Sequence, residues 1–90
     1  MRYVDYKTYR FHEHNAKEIV FNLEDGKQQI EFWSYSTPMI IRVDGQVYMN
    51  NYRYSNSTAR QVRRYLGEER INENRAIFMT EDEMRRLSLY

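Results

Sequence analysis

Ser55, Ser57 and Thr58 stand directly ahead of Arg60 and Arg64, within a stretch from Tyr52 to Leu66 that carries four basic residues and no acid. Hydroxyls at the start of a helix accept hydrogen bonds from the first-turn N–H groups. The helix dipole adds partial positive charge at the same place, and arginines a turn apart supply charge-assisted donors. Together these groups favour an anion, and phosphate suits them best. Tyr54 and Tyr35 add aromatic faces on which a base can stack. The candidate ligand site is therefore Tyr35, Tyr54, Ser55, Ser57, Thr58, Arg60 and Arg64, with the helical members converging within about two turns, roughly 10 Å. The competing reading is an ordinary capped surface helix with solvated arginines.

Other chemistries find little support. There is no cysteine, so disulfides, thiolate zinc sites and a cysteine nucleophile are all excluded. The three glycines form no phosphate-cradling loop. Ser34, Ser36, Ser55 and Ser57 lack the nucleophile-elbow pattern that would activate a serine. His12-Glu13-His14 has metal-ligand residue types, but two ligands do not make a zinc site. The reading is a non-enzymatic protein with no cofactor and no metal.

The positive field is local. The 14 basic and 13 acidic residues nearly cancel, which excludes a polycationic DNA coater and an acidic DNA mimic alike. Ninety residues suffice for one domain, 1–90, with about 60% of its unfolded surface buried. Apolar runs such as Pro38 to Ile41 fall far short of the roughly 20 residues of a membrane span, and no apolar leader opens the chain. A soluble, cytoplasmic protein is expected, without a membrane partner.

Two Asp-Gly pairs organise the elements. Asp25-Gly26 separates Glu18–Leu23 from Gln29–Trp33, and Asp44-Gly45 separates Met39–Val43 from Gln46–Met49, each flanked by alternating apolar residues. These are hairpin signals. A rival helix capped by Asn15 is set aside because Ile19-Val20-Phe21 is β-branched and aromatic and runs straight into the turn. After Asn51 the period becomes helical: Ala59, Val62 and Leu66 share one side and Arg60 and Arg64 the other, with Gly67 as a stop. Thr80 and Glu83 form a capping box that opens a short helix near 81–88. The expected fold is α+β, with a small antiparallel sheet of about four strands packed against a helix near 57–66. Arg75–Met79 is a candidate fifth strand, and Tyr3–Phe11 is an edge strand or arm. Thin sheets leave edges exposed, so a homo-oligomer is expected.

Residues 17–67 also resemble a group of small, functionally uncharacterised proteins of tailed bacteriophages, including phages of gut bacteria. The motifs are Tyr35-Ser-Thr-Pro-Met-Ile40, Asp44-Gly45 followed by Val47-Tyr48, and Tyr54-Ser-Asn-Ser-Thr-Ala-Arg60. That group tends to have two threonines where Ser57-Thr58 stands here, and often a histidine where Gln61 stands, so a histidine role would not transfer. The resemblance implies a viral source, acting in the host cytoplasm, rather than an activity.

Three functional classes follow. The first is a phage protein that binds a nucleotide-like or phosphorylated small molecule, sequestering a host defence signal. The second is an accessory protein that binds single-stranded or short nucleic acid, which the near-neutral charge weakens. The third is an inhibitor that binds a host protein through a free sheet edge.

Overall fold

A computed structural model describes residues 2–51 and 55–90. Five strands come first: β1 Tyr3–Phe11, β2 Glu13–Leu23, β3 Gln28–Ser34, β4 Thr37–Val43 and β5 Gln46–Asn50. Helix α1, Asn56–Glu68, follows, then a single 3-10 turn at Glu73–Arg75, strand β6 Ile77–Met79 and helix α2 Glu81–Leu87. The strands form one sheet in chain order, antiparallel from β1 to β5, with β6 parallel to β5. The expected α+β class holds, but the sheet has six strands rather than about four. Tyr3–Phe11 is a full strand because Tyr6 to Arg10 pair continuously with Phe21 to Lys17. The three residues of β6 join because α1 carries the chain back across the sheet, as a parallel pairing requires.

Turn chemistry fixes the meander. Asp44 and Gly45 take φ of 56° and 74°, the two left-handed positions of the tight turn between β4 and β5. At the β2–β3 turn the Asp25 carboxylate accepts from Lys27 N at 2.9 Å, while Gly26 supplies the positive φ. Helix α1, expected near 57–66, is capped by Ser55 and runs one residue past Gly67. The capping box of Thr80 and Glu83 opens α2 with both reciprocal hydrogen bonds made.

Both faces of the sheet are covered. On one, Ala16, Phe32, Ile40 and Met49 receive Val62, Tyr65 and Leu66 of α1, and Phe32 stacks on Tyr65 with ring centres 4.3 Å apart. On the other, Ile19, Phe21, Leu23 and Trp33 pack with Val43 and Leu89, the latter from the segment after α2. Alternation along β3 therefore sends Phe32 into the first layer and Glu31 into the second, where Glu31 is fully buried. Its carboxylate accepts four hydrogen bonds, from Trp33 Nε1 (2.9 Å), Ser88 Oγ (2.6 Å), Gln29 Nε2 (3.0 Å) and Leu89 N (2.7 Å). These bonds tie the C-terminal segment to the middle of the sheet. Among the described residues, no helix is long and apolar enough to cross a membrane.

Candidate functional site

The two ends of α1 differ in what they do with their polar groups. At the N-terminal end, the Ser55 hydroxyl oxygen accepts from Thr58 N at 3.2 Å. Thr58 faces the sheet rather than solvent, and so does Gln61 one turn later. A chain of side-chain hydrogen bonds runs inward from the cap. Ser55 Oγ donates to Thr58 Oγ1 at 3.2 Å, Thr58 and Ser34 hydroxyls lie 3.0 Å apart, Ser34 donates to Gln61 Oε1 at 2.6 Å, and Gln61 Nε2 donates to Asn15 Oδ1 at 2.8 Å. Asn15 O in turn accepts from Tyr35 N at 2.7 Å, while the Tyr35 side chain is exposed. These bonds satisfy the buried polar groups between helix and sheet.

The structure thus joins Ser55 and Thr58, with Tyr35 linked to the same network only through its backbone N–H, but turns the Thr58 hydroxyl away from any external ligand. Ser57 is half-buried, and Arg60 and Arg64 are exposed on the far side of the helix. Arg64 Nε donates to Glu68 at 3.2 Å, and the same carboxylate oxygen lies 2.7 Å from His12 Nε2. Tyr54, the expected stacking wall, and Tyr52 lie outside the described residues. So do the side chains of Glu13 and His14. Among the described residues, no cluster has the composition to hold a metal ion.

The C-terminal end of α1 forms a second, different site. Arg70 takes φ of 54°, with its N–H donating to Gly67 O at 3.3 Å and the Ile71 N–H to Leu66 O at 2.9 Å. This is a Schellman ending in which an arginine occupies the left-handed position usually held by glycine. Beside it opens a cleft of about 450 Å³, lined by Arg42, Gln46, Arg70, Asn72 and Arg75, with Glu69 as the acid on its wall. Arg42 forms the inner wall. Its Nη2 donates to Tyr65 Oη at 2.7 Å and to Glu69 at 3.0 Å, and lies 3.5 Å from Glu18. Tyr65 donates its own proton to Glu18. Burial, then the hydrogen bond to Glu18, raises the Tyr65 phenol far above its ordinary range, so it stays protonated. Burial alone would lower Arg42, but its contacts with Tyr65 and Glu69 outweigh that and raise it. Arg42 Nε is buried with no hydrogen-bond partner among the described residues.

Sequence reading missed this cleft because its arginines come from three separate places, at 42, 70 and 75, each near acids that mask it in a charge count. The available signal was local. Arg70 follows Glu68-Glu69 at the point where a helix end usually calls for glycine. Comparison with family models, curated proteins and solved structures finds no match.

Proposed function

We propose that the protein is a non-enzymatic binder of phosphorylated, nucleotide-like small molecules, and that the phosphate is held in the cleft of Arg42, Arg70 and Arg75 rather than at the α1 cap. The observation that carries this reading is Arg70. A non-glycine residue in the left-handed region costs roughly 1–2 kcal/mol, and such strain is often retained where the side chain has a task. Here it sets a guanidinium at the rim of a cleft that already holds two others against one carboxylate. Arginine forks match phosphate oxygens in pairs. On the resemblance of residues 17–67 to bacteriophage proteins, the use proposed for such a site is sequestration of a host signalling nucleotide.

A second reading rests on the outward face of α1, where Arg60, Arg63 and Arg64 are all exposed. That stripe suits a short single strand, bound with a steep dependence on salt. Calorimetry with pyrophosphate, mononucleotides, cyclic dinucleotides and short oligonucleotides separates the two. Binding of phosphorylated small molecules that is lost on Arg70→Gln with Arg75→Gln supports the cleft. Binding of oligonucleotides alone, lost on Arg60→Gln with Arg63→Gln, supports the stripe.

A further inference from the structure

Strand β1 forms one edge of the sheet, and its residues from Tyr3 to Arg10 are all exposed. The opposite edge, β6, is only three residues long. A nine-residue edge with Tyr3, Val4, Tyr6 and Tyr9 exposed is an open template for another strand, since its outward N–H and C=O groups have no ladder partner among the described residues.

The sequence of this edge reads Tyr3-Val4-Asp5-Tyr6-Lys7-Thr8-Tyr9, and it is self-complementary about Tyr6. Tyrosine recurs at both ends and at the centre, β-branched Val4 mirrors Thr8, and acidic Asp5 mirrors basic Lys7. A two-fold axis normal to a sheet leaves each side chain on its own face, so the residue on the axis meets its own copy and residues equidistant from it pair across the strands. With the axis at Tyr6, Asp5 meets the second copy's Lys7 and Lys7 meets its Asp5. Moving the axis by one residue places Asp5 against Asp5, or Lys7 against Lys7. Like charges directly opposite are destabilising, so these two residues select one register.

We infer that β1 is a homodimer interface, in which a second copy of this chain adds its own β1 antiparallel about Tyr6 and continues the sheet across the two-fold axis. Neighbouring contacts fit this pairing. Tyr6 lies on the face of Phe21, ring centres 5.5 Å apart, so a second Tyr6 extends that aromatic row. Asp5 pairs in register with Asn22 and accepts from its Nδ2 at 2.7 Å, which leaves the carboxylate further acceptor sites for an incoming lysine. The irregularity between Tyr3 and Asp5 leaves Val4 without a partner on β2 and confines strict register to Asp5 to Arg10, so the pairing rests on Asp5, Tyr6 and Lys7.

The test exploits the two charges. Sedimentation velocity should show the native protein at twice 11.2 kDa at micromolar concentration. Asp5→Lys and Lys7→Asp should each weaken the dimer about tenfold or more, because each variant places like charges opposite one another at two positions. The double variant carrying both changes should dimerise like the native chain. An equimolar mixture of the two single variants should form a heterodimer, since the lysine-only edge then faces the aspartate-only edge. Circular dichroism of each variant checks that the monomer fold is intact. A native protein that stays monomeric at millimolar concentration overturns the inference. So do single variants that dimerise undiminished, or a mixture that gains nothing over its components.

Discussion

Arg42 Nη2 donates to the hydroxyl of Tyr65 at 2.7 Å, so the innermost cation of the cleft is fixed by the helix whose end forms the cleft's rim. The contact makes one unit of β4, α1 and the turn after α1. Tyr65 is buried against Phe32 and donates a hydrogen bond to Glu18, which leaves its oxygen lone pairs free to accept from Arg42. Removing that hydroxyl should therefore loosen both stability and binding. Tyr65→Phe is expected to cost about 1–3 kcal/mol in urea denaturation, because partly buried Glu18 and Arg42 each lose a partner. Phosphate affinity should fall with it, although residue 65 does not line the cleft.

Arg70→Gly should do the opposite to stability. Glycine relieves the left-handed strain, offset in part by the greater freedom of the unfolded chain, for a net gain of up to about 1 kcal/mol. The same change removes a guanidinium from the cleft and should weaken phosphate binding. Thermal unfolding and calorimetry on one variant thus read a trade between stability and function.

Glu31→Gln tests the buried carboxylate. An amide has one acceptor oxygen where the carboxylate has two, so at least one N–H among Trp33, Gln29 and Leu89 is left facing an NH2 group. Each stranded donor costs about 1–3 kcal/mol. The segment after α2 should detach first, and Trp33, the sole tryptophan, should report it by a red-shifted emission.

Low pH should weaken the start of α2. The Thr80 backbone N–H, then its hydroxyl, hold the Glu83 carboxyl below the usual value of 4.5. A carboxyl depressed in the folded state stabilises above its unfolded pKa, and that contribution is lost as pH falls through the lower folded value. Protection of the α2 amides relative to their intrinsic exchange rates should fall over this range below pH 4.5, and Glu83→Gln should flatten the dependence.

Short-range signals were legible in the sequence. Asp25-Gly26 and Asp44-Gly45 sit at turns, Ser55 and Thr80 cap their helices, and Val62 and Leu66 face the core. What depended on distant pairing was not. The strand expected within Arg75–Met79 is present at Ile77–Met79, but its parallel pairing with β5 was not legible, and Glu31 is buried only because the C-terminal segment folds over the second face. Thr58 and Gln61 look like solvent-facing polar residues until Ser34 and Asn15 supply partners inside. The arginines of the α1 cap stand close together in sequence and are visible there. Arg42, Arg70 and Arg75 converge only through the meeting of β4, the end of α1 and the 3-10 turn.

The proposed phosphate site in the cleft is tested most directly by titration calorimetry of three proteins, the native chain, Arg70→Gln with Arg75→Gln, and Arg60→Gln with Arg64→Gln, against pyrophosphate and a panel of mononucleotides and cyclic dinucleotides. The native chain should bind a member of the panel. The first double variant should lose about 1.5–3 kcal/mol for each charge-assisted bond removed, and the second should bind like the native chain. No binding by the native chain, or a loss confined to the second variant, would contradict the account.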